Sequence, residues 1–231
     1  MYFSDMLQYC ADLSVNNDRV WFHENHARYE KVRGDFLELL EQLRFVIARA
    51  APALADDILP MQARDWMYRI ARDMRFYKNR PPYDPSFRAY ISMDRKSWLP
   101  IGYFLRIAPG SSCFGTGIWC ETPEELARMR GYMQYHYGEL AELLRKSRLK
   151  LSGDKLKKVP KGFDPDDPAA EFLKHKSWTV MAEFPDEKLT TDEEFTELIY
   201  RLVRRMEPVR QFFLTAARGA TAEIEENGWF I

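Results

Sequence analysis

The stretch Phe87-Arg88-Ala89-Tyr90-Ile91-Ser92-Met93 decides the fold class. Its apolar residues fall at every second position, the side-chain period of a half-buried strand. Downstream, Tyr103, Leu105 and Ile107 alternate with Phe104 and Arg106, and a third extended stretch covers Cys113 to Cys120. Asp94-Arg95-Lys96 and Pro109-Gly110 supply turns between them. The pattern is that of an antiparallel meander. Trp178, Val180, Ala182 and Phe184 alternate again and add a further strand.

Outward from this centre the period changes to that of helices. Ser4 can cap a short helix to about Leu13, and Asn16-Asn17 can end it and cap the next. Val32, Phe36, Leu39, Leu40, Leu43, Val46 and Ile47 mark a long helix within 27–50, which Pro52 stops. Thr122-Pro123-Glu124-Glu125 is a capping box with proline in the first turn, opening a helix to about Arg148. Asp167-Pro168 starts a short helix by the same logic. Thr191-Asp192-Glu193-Glu194 caps a last long helix that Pro208 should kink or break. Helices at both ends and strands in the middle predict an α+β fold. The central sheet should be mainly antiparallel, with four to five strands flanked by N- and C-terminal helices. No repeat or linker divides the chain, so a single domain over 1–231 is expected.

A formal charge of −1 over 231 residues gives no broad basic face. Nucleic acid is an unlikely partner on that ground, and no membrane association is expected. The first residues lack the basic and apolar regions of a signal peptide. Three cysteines, Cys10, Cys113 and Cys120, irregularly spaced, suggest free thiols in a reducing cytoplasm.

One segment is dense in arginine and aromatic residues. Trp66 to Lys78 can be read as a helix leading into a loop, with Trp66, Ile70 and Tyr77 inward. Arg69, Arg72 and Arg75 would then share a sector of the other face, with Lys78, Arg80 and Arg88 close by. Arginine forks bind carboxylate or phosphate in a bidentate way. Pairing with Asp65, Asp73 and Asp84 would equally account for them. Gly115 and Gly117 beside Trp119 could let a ligand lie over the backbone, or could mark close approach of another strand. The glycine-rich stretch is not a P-loop, because Thr116 stands where lysine is required. His23-Glu24-Asn25-His26 has its histidines three apart, one short of the zinc-protease spacing, so no metal is expected. No cofactor is expected either. Lys155 to Phe163 is a second basic tract, either a solvated loop or a flap pivoting on Gly162.

Several segments in order resemble an uncharacterised family of bacterial and fungal conserved hypothetical proteins, a domain of unknown function. They are Asn16-Asn17-Asp18-Arg19-Val20-Trp21-Phe22 and Arg72-Asp73-Met74-Arg75-Phe76-Tyr77-Lys78 with Pro82-Tyr83. Gly115-Thr116-Gly117-Ile118-Trp119 and Pro160-Lys161-Gly162-Phe163 complete the set. The resemblance covers roughly Phe3 to Ala217. It implies no activity, cofactor or catalytic residue. The family usually has lysine where this chain has His26.

Two functions from different classes remain open. One is a site for a small anionic ligand, lined by Arg69, Arg72, Arg75, Lys78, Tyr83, Arg88, Gly115, Gly117 and Trp119. If it catalyses a reaction, Asp73 or Tyr83 would be the nearby acid–base groups. The other is a non-catalytic protein-interaction module using the same aromatic and arginine-rich surface.

Overall fold

The computed structural model describes residues 3–75, 79–92 and 101–227, the last eight of these as backbone alone. Helix α1 (Phe3–Val15) turns Phe3, Met6, Tyr9, Cys10 and Leu13 inward at helical spacing. Helix α2 (Arg19–Glu24) is capped by Asp18, whose carboxylate accepts from the Val20 and Trp21 amides at 2.8 and 2.9 Å. The sequence pattern assigned that role to Asn16-Asn17. Asn16 does close α1, as expected, by donating to the Asp12 carbonyl at 3.0 Å, and the Asn17 side chain is engaged elsewhere. Helix α3 (His26–Ala50) buries Val32, Phe36, Leu39, Leu40, Leu43 and Ile47. The short helix α4 spans Ala55–Ile58.

The sheet has four antiparallel strands in the order β1-β2-β3-β4. They are β1 (Phe87–Ile91), β2 (Tyr103–Ile107), β3 (Ser112–Trp119) and β4 (Ser177–Phe184). The α+β class and the strand number agree with the alternation in the sequence. Met93 and the Asp94-Arg95-Lys96 turn lie outside the described residues.

Helix α5 (Pro123–Ser147) begins with the full capping box and ends where Arg148 adopts a left-handed backbone, φ 51°. Helix α6 (Ala170–Leu173) follows Asp167, whose carboxylate accepts from the Ala169 amide at 2.7 Å. Helix α7 runs without a break from Asp192 to Asn227. Pro208, expected to kink or break the helix, sits inside it without breaking it. A proline forfeits one backbone hydrogen bond. Buried Ile199, Val203, Met206, Val209 and Phe213 hold the turns on both sides of it.

The chain packs as two compact units, each drawn from three separated stretches. A division of this kind leaves no linker to read. The first comprises Met1–Met93, Phe104–Phe114 and Ala182–Arg204. Its core joins Phe3 to Phe195 with ring centres 5.0 Å apart, and Phe87 to Phe36 at 5.4 Å. The second comprises Asp94–Tyr103, Gly115–Met181 and Arg205–Ile231. Gly115 and Gly117 are required here by close approach. A Cβ on Gly115 would stand 2.3 Å from the Val180 carbonyl oxygen of β4, and one on Gly117 would stand 2.5 Å from that of Trp178.

The second unit also buries an ion pair. Arg210, 1 % exposed, donates through Nε and Nη2 to the two oxygens of Glu207, both at 2.7 Å. Tyr103 Oη and Gln211 Nε2 donate to the same carboxylate at 2.6 and 2.7 Å. Burial alone would raise the Glu207 pKa, but these donors outweigh it and hold it below the ordinary value. Arg210→Met is expected to destabilise by about 3–5 kcal/mol, because it strands a buried carboxylate. Tyr103→Phe removes one donor of four and should cost only about 1 kcal/mol. Urea unfolding of both variants gives the comparison; equal losses would show that Arg210 is not the main partner.

Candidate functional site

The arginine-rich segment is extended, not helical. After a 3-10 turn at Ala63–Asp65, Met67 bridges Ala89 and Ala71 bridges Tyr83, both antiparallel. The Tyr68 amide donates to the Arg88 carbonyl and the Tyr90 amide to that of Trp66, each at 2.9 Å. Farther along, Arg72 N–H donates to Pro82 O and Asp84 N–H to Ile70 O, each at 2.8 Å. The chain thus lays a ribbon along the free edge of β1. Trp66 is fully buried and its indole donates to the Ser92 carbonyl at 3.2 Å.

Extension disperses the arginines that a helix would have gathered. Arg69 is exposed. Arg75 is exposed and binds Asp73 through Nε at 3.0 Å and Nη2 at 2.6 Å. Hydrogen bonds from Arg75 hold the Asp73 carboxyl below its ordinary pKa. For Arg75, pairing with Asp73 is the alternative that the contacts show. Phe76, Tyr77 and Lys78 lie outside the described residues.

Arg72 and Arg88 converge instead, on Asp84. The Asp84 Oδ2 atom lies 3.3 Å from Arg72 Nη2 and 3.4 Å from Arg88 Nη1, and Oδ1 accepts from Ser86 Oγ at 2.6 Å. All three charged side chains are largely buried, at 17 %, 28 % and 17 % exposure for Arg72, Arg88 and Asp84. Arg72 is consumed structurally, because its Nη1 also donates to the carbonyls of Pro81, at 2.9 Å, and Tyr83. Arg88 is less well satisfied. Its guanidinium lies 5.5 Å over the Tyr68 ring and makes a long 3.5 Å contact with the Arg69 carbonyl, while its Nε is buried without a hydrogen-bond partner.

Tyr83 forms the aromatic side of this cluster. Its ring stacks on Phe22 with centres 4.1 Å apart and planes at 13°. Its backbone is pinned by Asn17, which donates Nδ2 to Tyr83 O and accepts from Tyr83 N–H, both at 3.0 Å. Tyr29 adjoins Phe22 at 5.1 Å and Tyr9 at 6.0 Å. The Tyr9 hydroxyl is buried without a partner, and burial, then Tyr29, raises its pKa.

Gly115, Gly117 and Trp119 belong to the second unit, where the two glycines fit against β4. Cys10, Cys113 and Cys120 are free thiols. Lys155, Lys157, Lys158 and Lys161 of the second basic tract are exposed. Among the described residues, no three His, Cys, Asp or Glu side chains gather as a metal site.

Sequence reasoning missed the pinning role of Asn17 and gave Asp84 no more than an ion pair. A family model described as conserved hypothetical protein, DUF2461, matches residues 5–212. The chain belongs to this family. The Asn17, Tyr83, Asp84 and Arg88 cluster lies wholly within the part of the chain that matches DUF2461. Comparison with curated proteins and with solved structures returns no match.

Asn17→Ala should remove two hydrogen bonds from a half-buried peptide and destabilise by about 1–3 kcal/mol. Thermal or urea unfolding of the variant measures this. Wild-type stability would show that the Asn17 contact does not hold Tyr83.

Proposed function

We propose that this DUF2461 protein binds a small anionic ligand, bearing phosphate or carboxylate, at Arg88 and its surroundings. Arg72 and Tyr83 form the frame of the site and Arg88 supplies its free donor. The carrying observation is the imbalance at Asp84: two largely buried guanidinium groups share one carboxylate, and the Nε of Arg88 is buried unpaired. Buried polar groups are nearly always satisfied, and an unsatisfied arginine donor suits an anion acceptor. Arg69 and Arg75 stand apart on exposed positions, and the proposal leaves them outside the site. Gly115, Gly117 and Trp119 have no role in it.

The interaction-module reading draws less support, because Phe22, Tyr29, Tyr83, Arg72 and Arg88 are partly buried rather than spread on an exposed face. Among the described residues no helix is long and apolar enough to cross a membrane. Three free thiols support a cytoplasmic setting.

Thermal shift with inorganic phosphate, sulfate and acetate tests the proposal. At least one anion should raise the midpoint of the wild type, and Arg88→Gln should lose most of that shift. Arg75→Gln should respond as wild type does. If no anion stabilises the wild type, the arginines are structural ion-pair partners and the interaction module becomes the better reading.

A further inference from the structure

We infer that the ligand of this site is a tetrahedral dianion, of the phosphate-monoester or sulfate type, and that Arg106 supplies a second free guanidinium fork. The inference rests on the anion site proposed above and names its substrate class.

Arg106 lies on β2, the neighbour of β1 in the sheet. Both strands have five residues; Arg88 is the half-buried position of β1, and Phe104 and Arg106 are those of β2. Arg88 is second in β1 and Arg106 is fourth in β2. Paired end to end, the two strands would set those positions across from each other on one face; Asp84, 3.4 Å from Arg88, and Arg106 both act on the Cys10 thiol. Like charges so placed repel. Arg88 shares Asp84 with Arg72, whereas Arg106 makes no ion pair with the described residues. Its Nε, like that of Arg88, is buried without a partner.

Among the described residues, Asp84 is the carboxylate that pairs with this arginine group. Arg72 and Arg88 share that one carboxylate, and with Arg106, unpaired among the described residues, two positive charges are left over. The Cys10 thiol stands between Asp84 and Arg106 electrostatically: burial pushes it up to about 12, Asp84 adds to the rise and Arg106 opposes it. Cys113, beside Arg106 and Glu183, is also raised by burial. Both thiols therefore stay neutral near pH 7. Glu183 is exposed, and solvent weakens its reach. Tyr68 and Tyr83 add aromatic rings.

The charge and the shape of the missing partner follow. A carboxylate has two oxygens in one plane and satisfies one arginine fork. Two forks presented from adjacent strands need an acceptor with three or more oxygens out of plane. Two residual positive charges are matched by a dianion. Sulfate and phosphate monoesters meet both conditions, and acetate meets neither.

Titration calorimetry of the full chain with sodium sulfate, glycerol phosphate and sodium acetate tests this at pH 7.5 and pH 5. Sulfate and glycerol phosphate should bind at least about tenfold more tightly than acetate at pH 7.5. Glycerol phosphate should weaken about tenfold at pH 5, since its second pKa is about 6. Sulfate stays a dianion and serves as the control for titration of the protein itself. Arg106→Gln should lose about tenfold in sulfate affinity and most of the preference over acetate. Arg106→Lys, which keeps the charge but not the fork, should fall between. Urea unfolding of each variant checks that it folds.

If sulfate and acetate bind the wild type equally, or glycerol phosphate follows sulfate in its pH response, the dianion assignment is wrong. If Arg88→Gln weakens binding and both Arg106 variants match the wild type, the anion site stands and Arg106 has no part in it. If no anion binds the wild type, the site itself fails and this inference with it.

Discussion

The backbone ladder between residues 66–72 and 82–90 is the constraint on which the rest of the candidate site depends. Its bonds from Tyr68 to Arg88, Arg72 to Pro82 and Asp84 to Ile70 fix three charged residues before any side chain is considered. An isolated two-stranded ribbon is marginal in water. This one gains its support from the β1 edge it shares, from buried Trp66 and from buried Ile70. Arg72 then ties the ribbon's far end to itself through Pro81 and Tyr83. Asp84 is held between two guanidinium groups as a result of the register.

Most helix boundaries were legible because their chemistry is local. Thr122 with Glu125, Thr191 with Glu194, and Asp167 each satisfy an amide within a few residues. The meander was legible because alternation is also local. The ribbon was not. Trp66 and Ile70 are four apart, and a spacing of four fits both a helical turn and two strand periods. Only the partner, some twenty residues away, decides between them, and nothing local encodes a partner. The break allowed for at Pro208 does not occur, for the opposite reason. Its local penalty is real, but buried residues along the same helix outweigh it.

The candidate site divides in the same way. Arg72 and Arg88 were found because arginine density is visible in the sequence. That both converge on Asp84 required the contacts. Arg69 and Arg75 share the same sequence density yet reach solvent, because an extended chain turns successive residues to opposite sides. The glycines of β3 are explained by β4, whose carbonyls occupy the space a side chain would need.

The Asn17 contact has a consequence for how the chain tolerates change. A side-chain amide both gives and accepts, so it reads a peptide group as another strand would, and what it reads on residue 83 is backbone common to nearly every amino acid. Aspartate at position 17 could accept but not donate, and serine could do both only from a single atom. Chemical identity is therefore narrow at position 17. At position 83 this contact excludes only proline, which has no N–H to give. The tyrosine ring there is left to be chosen by what stacks on it, not by what holds it in place.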